Sequence, residues 1–344
     1  MFTNLKRRWI ASSLGAMAAT GLDRVFPERY QGVGVIFMLH RVSPITPPPD
    51  AFAPNRHLSI TPDFLDDVIM LVRERGMDIV SLDEARIRLL SPKPRRFAAF
   101  TLDDGYRDNF EHAYHVFKAA DAPFTVYVPS VWPTGSGFLW WRTLEDIIRV
   151  TPSISLNIGG SREVVATATV TEKNSAFECL RRIIHNLDLD AMKATVDDMA
   201  SRYGIDANAP CAHEIMDRDE IRDLSRDERV TIGSHSRTHA ALAKLAVADL
   251  HHDLTTSRAE LERVVGKPCL HLAYPYGNAE AAGPREYLAA AKAGYHTAVT
   301  TNRSLVLSRH SKTMMALPRI PLEGDLQDSR LVEVQLSGVP FALR

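Results

Sequence analysis

Phe97-Ala-Ala-Phe-Thr-Leu-Asp-Asp-Gly105 runs from an almost wholly apolar stretch into two adjacent carboxylates and a glycine. The stretch shows no alternation of apolar and polar residues. That pattern predicts a strand buried on both faces, hence a parallel sheet covered by helices. Similar runs recur at Val33–His40, Asp78–Leu82, Phe124–Val128, Val230–Gly233, Leu270–Tyr274 and Thr297–Thr300, with a short one near Arg319-Ile320. Helical patterns lie between them. Thr61-Pro62-Asp63 opens one with a capping residue and a first-turn proline, and Phe64, Val68, Leu71 and Val72 supply its apolar stripe. Others run from Asn109 to Ala120 and from Leu245 to Val265, the last closed by Gly266 and Pro268. Strands alternating with helices over about seven or eight units predict an α/β barrel.

The chain has 344 residues, about two domains' worth at ~150 each, though one barrel also uses this length. Residues 131 to about 228 break the rhythm. They hold a Pro-Gly loop, the aromatic cluster Leu139-Trp140-Trp141, a hairpin across Gly159-Gly160 and two polar helices. We read them as an insertion within a domain spanning 31–325, followed by an extension over 326–344. The insertion either shapes a groove or elaborates the packing. With 45% hydrophobic and 24% charged residues, disorder, collagen and coiled coil are excluded. A net charge of −1 argues against a dedicated nucleic-acid binder. Three scattered cysteines form no disulfide framework.

The first 30 residues have a basic start, Lys6-Arg7-Arg8, then a short apolar run. They read as an amphipathic helix that lies on a membrane surface or packs on the domain, or as a weak secretory signal. The expected location is the cytoplasm, with peripheral membrane contact through this segment or export as the alternatives.

Three clusters at strand ends carry chemistry, because the carboxyl edge of parallel strands is where such folds build sites. In Asp103-Asp104, one carboxylate can bind a metal while its neighbour serves as general base; a turn and helix cap is the competing reading. His235 and His239 are four residues apart, and a helical turn after the strand would set both imidazoles toward one ion. Tyr274-Pro275-Tyr276-Gly277 forms a turn able to aim backbone N–H groups at a developing oxyanion. Trp132, Trp140 and Trp141 suit either a sugar groove or core packing.

Taken together, these clusters resemble the polysaccharide deacetylases, the NodB-homology family. Thr101-Leu-Asp-Asp-Gly105 is similar to the family's Thr-Phe-Asp-Asp-Gly motif, and His235-Ser-Arg-Thr-His239 to its His-Ser/Thr-x-x-His motif. Tyr274-Pro-Tyr-Gly277 resembles its third motif, and Phe37-Met-Leu-His40-Arg41-Val42 its early Tyr-His-Arg strand. The resemblance covers roughly residues 33–322. It implies a distorted (β/α) barrel of about seven parallel strands with an inserted segment, and one divalent metal ion, zinc foremost, with Co, Mn, Ni or Fe as alternatives. Asp104, His235 and His239 would hold the metal. Asp103 would be the base, and the backbone N–H of Tyr276, after Pro275, would face the oxyanion.

The sequence departs from the family pattern twice. The arginine that orients the base in many members is replaced by Ala273, and no late Leu-x-His supplies the acid. Arg319 is the candidate substitute for the orienting charge, and His40 for the acid. The implied activity is hydrolytic deacetylation of an N- or O-acetylated glycan, such as a chitooligosaccharide or exopolysaccharide, with Trp140 and Trp141 lining the groove. Hydrolysis of another non-peptide C–N bond, or carbohydrate binding without catalysis, are the alternatives.

Overall fold

The computed structural model describes residues 12–21, 31–158 and 161–342. Twelve strands are present among them. They are β1 (Gly34–Leu39), β2 (Arg41–Val42), β3 (Ser59–Ile60), β4 (Asp78–Ile79), β5 (Phe97–Leu102), β6 (Phe124–Val128), β7 (Ser153–Ile158), β8 (Ser161–Ala166), β9 (Val230–Ser234), β10 (His271–Ala273), β11 (Thr297–Val299) and β12 (Ile320–Pro321). The main sheet is parallel throughout, in the order β11-β10-β9-β6-β5-β1-β12, and β4 adds to β5. The sheet curls. The stretch after Ala316 bridges its two edges: Leu317 pairs with Val299 of β11, and Ile320 with Phe37 of β1. This is the expected distorted barrel.

Every residue of β5 is buried, as its apolar run requires. Ile36, Phe97, Ala99, Tyr127, Ala273 and Val299 meet in the barrel interior. Their strand neighbours Val35, Phe37, Ala98, Phe100 and Val126 pack outward against the helical layer. Gly233 is required where it stands, since a Cβ there would lie 2.5 Å from the Tyr127 ring.

The helices that matter here are α1 (Pro62–Glu74), α2 (Trp140–Val150), α3 (Val170–Asn186), α4 (Leu189–Arg202), α5 (Ala209–Glu214), α6 (Arg218–Leu224), α7 (Val247–Val265) and α8 (Ser329–Leu336). Thr61 caps α1 by accepting the Phe64 N–H, and Gly266 ends α7 in the left-handed conformation. The segment between β6 and β9, two adjacent parallel strands, holds α2, the antiparallel β7–β8 pair and α3 to α6. Four helices therefore follow the hairpin rather than two. The aromatic cluster Trp140-Trp141 opens a helix whose apolar face forms its own core with Phe177, Leu180, Val196 and Met199. The sequence does mark the start of α6, where Asp217 and Glu220 form a capping box, and α4 opens on Asp188, whose side chain accepts the Ala191 N–H.

Val332 and Leu336 of α8 are buried in the same core as α1. The 12–20 stretch is helical; Leu14 is buried, and Arg330 donates to the Ala18 carbonyl at 3.3 Å. The rest of the amino-terminal segment, 1–11 and 22–30, lies outside the described residues. Among the described residues no helix is long and apolar enough to cross a membrane.

Candidate active site

The carboxyl ends of β5, β9 and β10 converge, and each continues into a turn containing a non-glycine residue with positive φ. Asp104 has φ 75°, Ser236 62°, His239 60° and Tyr276 62°; among the described non-glycine residues only Asp121 shares this conformation. Such backbone costs roughly 1–3 kcal/mol per residue and persists where the surroundings enforce it. Here three turns of one site share it.

Strand geometry places Asp103. Asp103 continues the β5 ladder, donating its N–H to the Leu39 carbonyl at 2.9 Å. Its side chain follows Phe97, Ala99 and Thr101 into the barrel interior. There it meets Arg319, which is fully buried. Two guanidinium nitrogens donate to the two Asp103 oxygens, each at 2.7 Å. Arg319 also donates to the Thr300 carbonyl at 3.0 Å and to Thr101 Oγ1 at 3.1 Å. Burial alone would raise the Asp103 pKa; the charges of Arg319 and His235 outweigh it and hold the carboxyl below its usual range. The position that Ala273 leaves uncharged on β10 is thus matched by a guanidinium arriving from the opposite edge of the sheet.

Asp104 turns the other way, toward His235 and His239. One ligand atom from each of the three lies within 4.8 Å of the others, and all three residues are buried. Both histidine Nε2 atoms face Asp104 Oδ1, at 3.4 and 3.3 Å. That oxygen is nevertheless without a hydrogen-bond partner. His235 Nδ1 lies 2.8 Å from the Ala273 carbonyl, which can only accept, so Nδ1 carries the proton and Nε2 presents its lone pair. Three acceptors aimed at one point, in a buried pocket, fit a divalent cation.

The two histidines are not brought together by a helical turn. The 235–241 stretch is an irregular loop, and left-handed Ser236 and His239 fold it back until the imidazole centroids are 4.9 Å apart. Ser236 Oγ accepts the His239 N–H at 2.9 Å. From α7, Ser257 donates to the Ser236 carbonyl and Asp253 accepts the Arg237 N–H, at 2.8 and 2.9 Å. Burial pushes the Asp253 carboxyl up to about 6. Folded protein therefore holds this proton more tightly than the unfolded chain, and stability falls as pH rises from about 4 to about 6. Asp253→Asn keeps an acceptor for Arg237 without the charge. Its stability relative to the wild type rises across that window, by up to roughly 3 kcal/mol, in denaturation curves taken at pH 4 and pH 7.

The third turn is fastened by Thr301, whose N–H and hydroxyl donate to the Gly277 and Tyr276 carbonyls. The Tyr276 ring stands 4.9 Å from His239, and its hydroxyl accepts from Trp140 Nε1 at 3.2 Å. Pro275 is buried behind it.

These groups line a cleft of about 220 Å³. His40, at the end of β1, is on its wall with Asp103, Asp104, His235, His239 and Tyr276. Trp140 and Trp141 line it as well, while Trp132 is 1% exposed and packs its ring 5.1 Å from His239. Sequence reasoning missed the opposite wall. Asn55, His57 and Leu58 come from the segment just before β3, and Phe177, Glu178, Arg181 and His185 from α3. A second recess of about 250 Å³ adjoins the cleft and shares His185, His239 and Tyr276 with it.

The family model for polysaccharide deacetylases matches residues 173–298, which includes the second and third motifs and stops short of the first. Over that segment the chain is similar to the polysaccharide deacetylases. Solved structures of polysaccharide deacetylases share the fold over most of its length. The Streptococcus pyogenes deacetylase PplD, solved in complex with acetate, superposes with a TM-score of 0.55 at 16% identity, over 88% of this chain and 97% of that one. IcaB from Ammonifex degensii gives 0.54 at 15% identity, over 88% and 97%. A de-N-acetylase from Aggregatibacter actinomycetemcomitans gives 0.54 at 13%, over 88% and 99%. A search of curated protein sequences returns no match.

Proposed function

We propose that this protein is a metal-dependent polysaccharide deacetylase that removes acetyl groups from N-acetylated sugars of an oligosaccharide or cell-surface polysaccharide, with O-acetyl esters as a related substrate. The observation that carries the reading is the pairing, at the floor of one aromatic-walled cleft, of the Asp103–Arg319 ion pair with the Asp104, His235 and His239 acceptors. A divalent ion held by those three residues supplies Lewis acidity toward water and the acetyl carbonyl oxygen. Zinc suits a carboxylate and two imidazoles, and cobalt, manganese, nickel or iron suit them too.

The chain's own residues do the rest. Asp103 takes a proton from the attacking water. Arg319 keeps that carboxyl ionised and fixed in one orientation, so it is ready to accept. The Tyr276 N–H, presented by a left-handed turn, donates to the oxygen that gains charge. His40 delivers a proton to the leaving amine. Trp140 and Trp141 offer apolar faces to a pyranose, and the adjoining recess gives room for a second sugar unit. The near-neutral chain matches a substrate held by stacking and hydrogen bonds.

Acetate release from N-acetylglucosamine oligomers, with Zn²⁺, Co²⁺ or Mn²⁺ supplied, tests the reading. Asp103→Asn is expected to lower turnover by about 10²–10⁴, the usual share of a general base. Unchanged turnover would remove Asp103 from the mechanism, and near-normal turnover by His40→Ala would do the same for His40.

A further inference from the structure

Between the barrel and the inserted helices runs a continuous chain of charged side chains. Arg41 of β2, directly after His40, donates to Asp108 at 2.7 Å and to Glu214 Oε2 at 2.8 Å. Glu214, the last residue of α5, also accepts from Arg142 Nε at 2.9 and 3.2 Å. Arg142 belongs to α2, next to Trp141, and donates onward to Glu145. Glu145 accepts from Asn55 Nδ2 at 2.9 Å, and the same amide reaches the Trp141 carbonyl at 3.2 Å. Arg41, Asp108, Glu214, Arg142 and Glu145 thus link the barrel to Asn55 on the cleft wall, each cation bonded to two acids.

A second path runs beside the first. The Arg41 guanidinium lies 4.8 Å over the Tyr106 ring. The Tyr106 hydroxyl accepts from Trp141 Nε1 at 3.2 Å, and the Trp141 ring stands 5.4 Å from His239. The backbone joins in: Arg107 donates to the Glu214 carbonyl and Met216 to the Gly105 carbonyl, so the loop carrying Asp103 and Asp104 is laced to the end of α5.

We propose that Glu214 is a positioning residue that clasps the insertion to the barrel and thereby sets the sugar-binding wall formed by Trp141 and Asn55 opposite the catalytic floor. It touches neither substrate nor metal. One carboxylate holding two guanidiniums from separate segments fixes their relative position more sharply than apolar packing, which is non-directional. The side chain is 17% exposed, so the pair sits where solvent screens it only partly. The inference rests on the deacetylase reading for its substrate, and on the contacts alone for its geometry.

The test is Glu214→Gln, which keeps the shape and removes the charge. For acetate release from N-acetylglucosamine oligomers we expect KM to rise about five- to tenfold while kcat stays within twofold, because the floor keeps its own supports. The near-ultraviolet circular dichroism of the tryptophans should change in the metal-free protein, and Glu214→Asp should restore part of both. In a cycle with Arg142→Gln, the two KM effects should not multiply. A lowered Tm with wild-type KM and an unchanged tryptophan spectrum would overturn the proposal and leave an ordinary stabilising ion pair. If the wild type itself releases no acetate, the deacetylase reading fails, and the tryptophan spectrum of Glu214→Gln still decides the clasp.

Discussion

Arg319→Met is expected to cost roughly 3–5 kcal/mol of folding stability, among the largest effects of any single substitution in this chain. Arg319 is fully buried and satisfies both oxygens of an equally buried carboxylate. Methionine fills a similar volume, so the loss is not one of packing. It leaves Asp103 as an uncompensated charge inside the barrel, or forces it to take up a proton. Removing both charges distinguishes this cause from a simple cavity: Arg319→Met with Asp103→Asn should recover most of the lost stability, because a neutral interior has no ion to desolvate. Urea denaturation of the two single variants and the double variant checks it. If the double variant is less stable than Arg319→Met alone, the pair is not the source of the effect. On the proposed mechanism activity follows a different course, since the double variant lacks Asp103, the proposed base, and stays inactive however well it folds.

Loss of metal binding in His239→Ala or Asp104→Asn is the second large effect expected. Replacing a residue that merely supports a ligand typically weakens a metal site 10–100-fold, so deletion of one of three ligands should exceed that range. Competition with a chromophoric chelator measures the affinity directly. A thermal readout needs no turnover: at free metal about 100 times its Kd, the wild type gains about 2.7 kcal/mol, and the variants gain little. Metal affinity unchanged in His239→Ala would show that the three acceptors, despite their convergence, are not the ligands.

Much of the barrel is legible because parallel strands buried on both faces advertise themselves. Phe97–Leu102, Phe124–Val128 and Val230–Gly233 are such runs, and all are strands of one sheet. The metal-ligating candidates are legible as motifs, yet the local path between His235 and His239 is a loop where the spacing suggests a helix. A spacing of four fits one helical turn, and it also fits a loop folded back by two left-handed residues; Ser236 and His239 carry no glycine to mark the difference. Arg319 can be named from its place in the chain, but its partner is harder to read, since 216 residues separate it from Asp103. The α3 wall is illegible for a plainer reason. Glu178, Arg181 and His185 look like the solvent face of any amphipathic helix, and only the packing of the insertion turns that face toward the cleft.

Leu317–Pro321 bridges the two edges of the sheet and delivers Arg319 in the same stroke. Asp103 therefore depends for its counter-charge on a segment that the ribosome makes 216 residues later. Until that segment docks, the ring of strands is open and the carboxylate has no buried partner. Assembly and competence arrive together: a refolding chain should regain acetate release only in the phase that seals the barrel, with no partly folded form carrying a share of the activity.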